Sequence, residues 1–293
     1  MALFFSLLAA GAHASLPLTE TIYIIPENEV ELSLREQVVD VERYYRRDRI
    51  GAGLGILPSV SLWIEFTYCT QDVIPGGKSE IGDLFLTSKF YIGDYWASRL
   101  HSCFLLRIRI PTGQSAYSSE EWRNLSLGKN EMTIGPIFQL DFLDPLFIHF
   151  NLLYTFREGE GEDFYGGFYL NIFKGETWQK LFGLNPWGED TFLETGRLIN
   201  DYISLSIAVN TDIIYPVVPF FECYTSFRVS GSAGSLDDLP IEALGINPVL
   251  LLSAGARYFF TESVYGGMYC IVNPLWQKDF IKIIYGMELS FQF

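Results

Sequence analysis

The chain has 293 residues, of which 49% are apolar and 16% aromatic, and its formal net charge is −15. So acidic a chain lacks the basic surface that nucleic-acid binding requires, and nucleic acid is excluded as an expected partner. After the first fourteen residues there is no uncharged apolar run of about eighteen residues, so no membrane-spanning helix is expected. Transmembrane strands need only about ten residues each, and the short apolar segments of this chain suit them.

The four cysteines, Cys69, Cys103, Cys223 and Cys270, are far apart in the sequence. No close pair has the spacing of a metal site, so the sequence predicts neither a metal site nor a cofactor. Whether any two of the cysteines form a disulfide stays open at this stage.

Residues 1–14 resemble a secretory signal peptide. Their apolar stretch ends in Ala12-His13-Ala14, a small-residue cleavage motif that precedes Ser15. The basic residues that usually begin such a signal are missing, so a buried N-terminal helix is the alternative. We expect residues 1–14 to be removed and residues 15–293 to form a single barrel.

From residue 29 to the end, apolar and polar residues alternate in one segment after another. In the first segment Val30 and Leu32 share one face of a strand, and Glu31 and Ser33 share the other. A charged turn is predicted at 44–48. The predicted strands cover residues 29–39, 49–57, 59–68, 80–92, 99–111, 131–141, 146–156, 201–212, 217–230, 248–260, 264–273 and 279–293.

The connections between these segments alternate in length. Short turns are predicted at 57–59, 93–98, 144–145, 215–216 and 261–263, and long loops at 71–79, 112–128, 158–199 and 231–247. Bacterial outer-membrane barrels have an even number of strands, with short turns at one end and long loops at the other. The sequence therefore predicts an all-β fold, a closed antiparallel transmembrane β-barrel of about twelve strands.

Residues 158–199 interrupt the alternation and are predicted to form a long extracellular insert. If the aromatic part of this insert formed a hairpin in the wall, the barrel would have fourteen strands. Trp178, Leu181 and Phe182 have helical spacing, so this part either covers the mouth as a lid or packs as a short helix on loop aromatics. The candidate mouth or lid residues are Phe164, Tyr165, Phe168, Trp178, Leu181 and Phe182.

The last segment alternates down to a terminal aromatic residue, Phe293. The edge of a soluble sandwich would show the same alternation, but this ending resembles the assembly signal of bacterial outer-membrane barrels. The candidate signal residues are Tyr285, Leu289, Phe291 and Phe293. The expected location is the cell outer membrane of a Gram-negative-type envelope, with membrane lipids and the barrel-assembly machinery as partners.

Three consecutive segments resemble one outer-membrane family. They are RIGAGLGILPSVSLWIEF at 49–66, EIGDLFLTSKF at 80–90 and LRIRIPTG at 106–113, and HFNLLY at 149–154 follows the same pattern. They are similar to the core of the family named for the meta-pathway of phenol degradation, whose members are assigned as outer-membrane transporters. The positions that match the family pattern are Asp83, Lys89, Pro111, Thr112 and Gly113.

The resemblance covers about a third of the chain and implies a barrel that transports small molecules. Two departures are the long insert and the pair Glu80-Ile81, where the family has a glycine; the insert leaves the substrate open. A more distant likeness is to the long-chain fatty-acid channels, which are larger barrels with a plugged lumen.

Charged residues are predicted to line the lumen, and Lys89, Arg107 and Arg109 form a basic strip near Asp83. Such charges either pair as a structural network, because unpaired buried charge is costly, or line a conduit for solutes. The lumen-lining candidates are Glu65, Asp83, Lys89, Arg107, Arg109, Glu131, Asp141, Arg157, Glu222, Arg228, Arg257, Lys282 and Glu288.

Two histidines, His101 and His149, are predicted to face inward. A serine or aspartate within hydrogen-bonding reach of either would favour an enzyme. Asn151, two residues after His149, is similar to a feature of barrel phospholipases, but no serine occupies the corresponding position. We therefore do not expect an enzyme.

Three function classes follow from these observations. The leading one is a channel or transporter for small solutes, hydrophobic ones included. The alternative is a structural barrel, or one that binds host or envelope partners without transport, which a dense lumen network with no continuous path would favour. An outer-membrane enzyme comes third.

Overall fold

The computed structural model describes residues 16–41, 43–71, 79–110, 112, 130–157, 202–228, 249–272, 274 and 283–293. The strands are β1 (Val30–Val41), β2 (Arg43–Leu57), β3 (Val60–Gln71), β4 (Ser79–Tyr95), β5 (Leu100–Ile110), β6 (Glu131–Leu143), β7 (Leu146–Arg157), β8 (Tyr202–Thr211), β9 (Val217–Arg228), β10 (Val249–Thr261), β11 (Val264–Val272) and β12 (Ile283–Gln292). Among these residues, no helix is long and apolar enough to cross a membrane.

Each strand pairs antiparallel with its neighbour in sequence, and β1 pairs with β12 to close the barrel. The closing ladder runs from Glu31 opposite Gln292 to Asp40 opposite Ile283. It is extended by two backbone hydrogen bonds between Val30 and Phe293, of 2.8 and 2.9 Å. The predicted closed antiparallel barrel of twelve strands is therefore confirmed.

The fourteen-stranded alternative is wrong. Strands β7 and β8 flank the predicted insert and pair directly with each other, from Leu146 opposite Thr211 to Thr155 opposite Tyr202. No room is left between them for another hairpin in the wall. The insert itself, the six lid candidates and the predicted signal peptide lie outside the described residues.

The charged turn predicted at 44–48 is also wrong, because β1 continues to Val41 and β2 begins at Arg43. Within this hairpin Arg46 forms ion pairs with Glu36 at 3.2 Å and with Asp48 at 3.0 Å. The side chain of Arg46 is 53% exposed. A paired and largely exposed charge is tolerated on a strand. The charged residues therefore lie within β2 and do not form a turn.

The two faces of the wall are those that the alternation predicts. Leu32, Ile50 and Phe66 are exposed on the outside, whereas the neighbouring Glu31 and Thr67 are buried on the inside. An apolar outer face and a polar inner face are what a barrel wall in lipid requires. Among the candidate signal residues, Tyr285, Phe291 and Phe293 are exposed and Leu289 is partly exposed; their role in assembly stays a prediction.

Candidate functional site

The N-terminal segment that precedes β1 lies inside the barrel. Alternate residues of this segment, Thr19, Thr21, Tyr23 and Ile25, are each at most 8% exposed. A twelve-stranded barrel has room for such a segment, because a barrel of about eight strands is already just wide enough for its own side chains to fill. We call residues 16–25 the plug.

The residues that link the plug to β1 bond the wall at Gly55. Asn28 N donates to Gly55 O at 2.9 Å, and Gly55 N donates to Glu29 O at 3.0 Å. A Cβ atom on residue 55 would lie 1.9 Å from Pro26 O, so the backbones come closer here than any side chain permits. This crossing fixes where the chain turns from the lumen into β1.

On one side of the lumen the plug is held by charge. Lys89 Nζ lies 2.9 Å from Glu20 Oε2, and Arg107 bonds the other oxygen of the same carboxylate. Lys89 Nζ also donates to the backbone oxygen of Thr21 at 3.0 Å. Two cations from neighbouring strands therefore share one carboxylate of the plug.

On another part of the wall the polarity is reversed, because a wall carboxylate holds plug amides. Leu18 N and Thr19 N donate to Glu222 Oε1 at 3.0 and 2.8 Å, and the Glu222 side chain is fully buried. A carboxylate that accepts backbone amides is stabilised without a cationic partner. Glu222 thus fixes the path of the plug across the lumen.

The plug also packs against the wall through two apolar contacts. Leu16 belongs to a buried cluster on the wall, and Ile22 and Ile24 pack against a second one. The first cluster contains Ala208, Phe220, Tyr269 and Ile271, and the second contains Cys103, Leu105, Ile137 and Leu153. Cys103 is fully buried, so its thiol can report whether the plug is in place.

The remaining lumen charges pair with one another across the wall. Arg109 bonds Asp83 at 2.6 Å and Glu131 at 3.1 Å. Glu288 bonds Arg257 at 2.5 Å and Arg35 at 3.4 Å. These pairs form a dense network of the kind that we expected of a structural barrel.

Little space is left between the plug and this network. A cavity of about 40 Å³ is lined by Glu20 and Tyr23 of the plug and by wall residues that include Glu65 and Trp63. A water molecule requires roughly 10–15 Å³ of such volume, so the cavity holds a few waters and no larger solute. Beside Glu20 and Tyr23, the plug therefore leaves room for water only.

The structure places most of the predicted lumen residues on the inner face. These are Glu65, Asp83, Lys89, Arg107, Arg109, Glu131, Asp141, Glu222, Arg257 and Glu288. The side chains of Arg157 and Arg228, and the whole of Lys282, lie outside the described part. Glu20 was not among the candidates, and it is the residue that joins Lys89 to Arg107.

His101 has the carboxylate partners that we took as a sign of an enzyme. Its Nδ1 bonds Asp94, and its Nε2 lies 3.0 Å from Asp141 Oδ2. Both ring nitrogens are occupied by carboxylates, and no described serine or cysteine bonds either of them. His149 Nε2 donates to Asn210 Oδ1 at 2.7 Å rather than to Asn151.

The described cysteines Cys103, Cys223 and Cys270 are free thiols. Within the described ranges, no group of three or more His, Cys, Asp or Glu side chains could hold a metal ion.

No family model and no curated protein matches the chain. Solved structures do match it. The COG4313 outer-membrane channel from Pseudomonas putida F1 is 10% identical with a TM-score of 0.58, covering 93% of this chain and 98% of that one. The NanC porin is 9% identical with a TM-score of 0.57, covering 89% and 98%. The KdgM porin, in complex with disordered oligogalacturonate, is 7% identical with a TM-score of 0.51, covering 90% and 99%. The likeness covers nearly the whole chain and shows that it has the fold of an outer-membrane barrel.

Proposed function

We propose that this protein is an outer-membrane channel for small solutes, hydrophobic ones included, and that the plug closes it. The observation that carries the proposal is that the plug contributes no strand to the barrel. Its departure would break side-chain contacts, the hydrogen bonds from two plug amides to Glu222 and the one from Lys89 to Thr21 O, but no hydrogen bond between strands of the wall. A removable filling inside an intact wall is the arrangement that a gated channel requires.

The fold supports this proposal, since the structures that it matches bear the names of channels and porins. Twelve strands enclose more room than their own side chains fill, and the inner face is polar, as in water-filled barrels. The likeness of residues 49–157 to the family named for the meta-pathway of phenol degradation favours transport of small organic molecules. Membership of that family is part of the proposal.

The second candidate function is a structural barrel that is never open. The dense ion pairs and the firm seat of the plug favour it, because a permanent filling would be held in this way. The two functions differ in one respect, which is whether the plug leaves the lumen. Conductance therefore discriminates between them.

The test is single-channel conductance in planar bilayers, for the full chain and for a variant that lacks residues 16–25. We expect the variant to conduct continuously and the full chain to open only in brief events, because the plug fills the described lumen. The thermal transition of the barrel should fall, because the deletion leaves Lys89 and Arg107 without the carboxylate of Glu20, but every strand pairing is kept and the barrel should still form. A variant that folds but conducts no better than the full chain would contradict the channel function.

A further inference from the structure

We propose that Lys89 and Arg107 form a binding site for the carboxylate of a small amphiphilic solute, and that Glu20 of the plug occupies this site in the closed barrel. The plug would then act as a built-in competitor that a solute displaces. This inference deepens the proposed channel function, on which it rests for the route by which the solute arrives. Three features of the wall and one feature of the plug support it.

The first feature is that the two cations converge on one point. Arg107 and Lys89 lie on the neighbouring strands β5 and β4, where Arg107 is opposite Thr87 and Lys89 is opposite Leu105. Both contact the carboxylate of Glu20. Among the described residues, Glu20 is the one carboxylate that forms an ion pair with either cation. The wall itself thus presents two cations that need an anion.

The second feature is that wall residues contact both cations independently of the plug. Arg107 Nε donates to Thr87 Oγ1 at 3.0 Å, which orients the guanidinium. Lys89 Nζ lies 5.1 Å from the ring centroid of Trp63, within the range of a cation–π contact. Because Thr87 and Trp63 stay when the plug leaves, these two contacts still orient the cations toward another carboxylate.

The third feature is an apolar surface that begins next to the cations. Leu105, directly opposite Lys89 in the register, is fully buried and belongs to the cluster beneath Ile22 and Ile24. The plug therefore presents to this wall one carboxylate, followed by two aliphatic side chains. A solute that replaces these contacts has one carboxylate on an apolar body of similar size.

The cavity of about 40 Å³ beside Lys89 and Arg107 also limits the charge that the solute can carry. Glu31, Glu65 and Glu288 line it together with Lys89 and Arg107. Of these, Glu288 is bonded by two arginines, and Glu31 accepts a hydrogen bond from Ser290 Oγ at 2.9 Å. A second anionic group on the solute would approach these carboxylates and be repelled. The site should therefore take monocarboxylates in preference to dicarboxylates.

The test is isothermal titration calorimetry on the barrel in lipid nanodiscs, with 4-tert-butylbenzoate as the probe and 4-tert-butylbenzamide as its neutral match. In the variant Glu20→Gln, we expect the benzoate to bind about tenfold more tightly than in the unaltered protein, because a competitor held in the site lowers apparent affinity. The benzamide should bind at least about tenfold more weakly than the benzoate, as it lacks the charge that the cations recognise. Adding Lys89→Met to Glu20→Gln should abolish the gain.

Glu27→Gln is the matched control, because it makes the same chemical change at an exposed position outside the plug and should leave binding unchanged. Equal binding of benzoate and benzamide would overturn the inference. So would equal benzoate affinity in the unaltered protein and the Glu20→Gln variant, when both show the same heat-modifiable fold. This comparison needs no change in the wall, so it decides even if the Lys89 variant fails to assemble.

The site and the channel can fail separately in this design, because binding is measured without conduction. An open channel that binds no benzoate would overturn only the site. A benzoate-binding barrel that never conducts would overturn only the channel.

Discussion

Replacing Glu288 by glutamine is expected to lower the free energy of unfolding by about 3–5 kcal/mol, the cost of breaking a buried ion pair by removing one partner. Glu288 is the carboxylate that Arg257 and Arg35 share, and the side chains of Glu288 and Arg257 are only 4% and 2% exposed. The amide keeps the size of the side chain, so the loss measures charge rather than packing. Equilibrium unfolding in urea, with refolding into lipid vesicles, gives the value.

Glu36→Gln provides the matched control. Glu36 also pairs with an arginine, but its side chain is 26% exposed and that of its partner Arg46 is 53% exposed. Exposed pairs contribute roughly 0.2–1 kcal/mol, so this variant should be nearly as stable as the unaltered protein. Equal losses in the two variants would mean that water enters the lumen freely around Glu288 and that the described network is not buried.

Replacing Met287 by arginine is expected to cost about 2–4 kcal/mol, the penalty of a cation on the lipid-facing surface near the bilayer midplane. Met287 lies in the middle of β12 and its side chain is 49% exposed on the outer face. Glu288, the residue after Met287, lies opposite Arg35 in the closing ladder. The barrel therefore accepts an arginine at the same level on the inner face. The cost therefore comes from lipid and not from the position along the strand.

Met287→Leu is the control for this substitution, because it conserves volume and should cost less than about 1.5 kcal/mol. Both variants are compared by the same urea-induced unfolding in vesicles. If arginine were as well tolerated as leucine at position 287, the outer face would not contact lipid, and the inward and outward faces would have to be exchanged.

The wall of the barrel could be predicted from the sequence because each strand carries its own signal. Alternation in a segment such as 283–292 fixes which residues face lipid, and the change from short to long connections fixes the number of strands. The hairpin at 41–43 was misplaced because its charged residues resemble a turn. Arg46 is exposed and paired within the hairpin, so charge there says nothing about where the strand ends.

The plug could not be predicted from the sequence, because residues 16–25 show no alternation of polar and apolar residues, and their alternation in burial appears only in the structure. Buried Thr19, Thr21 and Tyr23 alternate with partly exposed neighbours, as in a strand. A segment that adds no strand to the wall can lie in the lumen or outside the barrel, and the sequence does not distinguish the two. The pairing of Glu20 with Lys89 was out of reach, because alternation gives the face of a residue but not its partner across the lumen.

The most direct test of the central claim, that the plug closes a channel by occupying the lumen, is to lock it there reversibly. Ile22→Cys and Ile24→Cys, each made with Cys69, Cys223 and Cys270 replaced by serine, place a second thiol against the cluster that contains Cys103. We predict that oxidation of at least one variant forms a disulfide and abolishes channel openings, and that a reductant added to the same bilayer restores them. Protein in which the disulfide has formed but which conducts like the reduced protein would contradict the account.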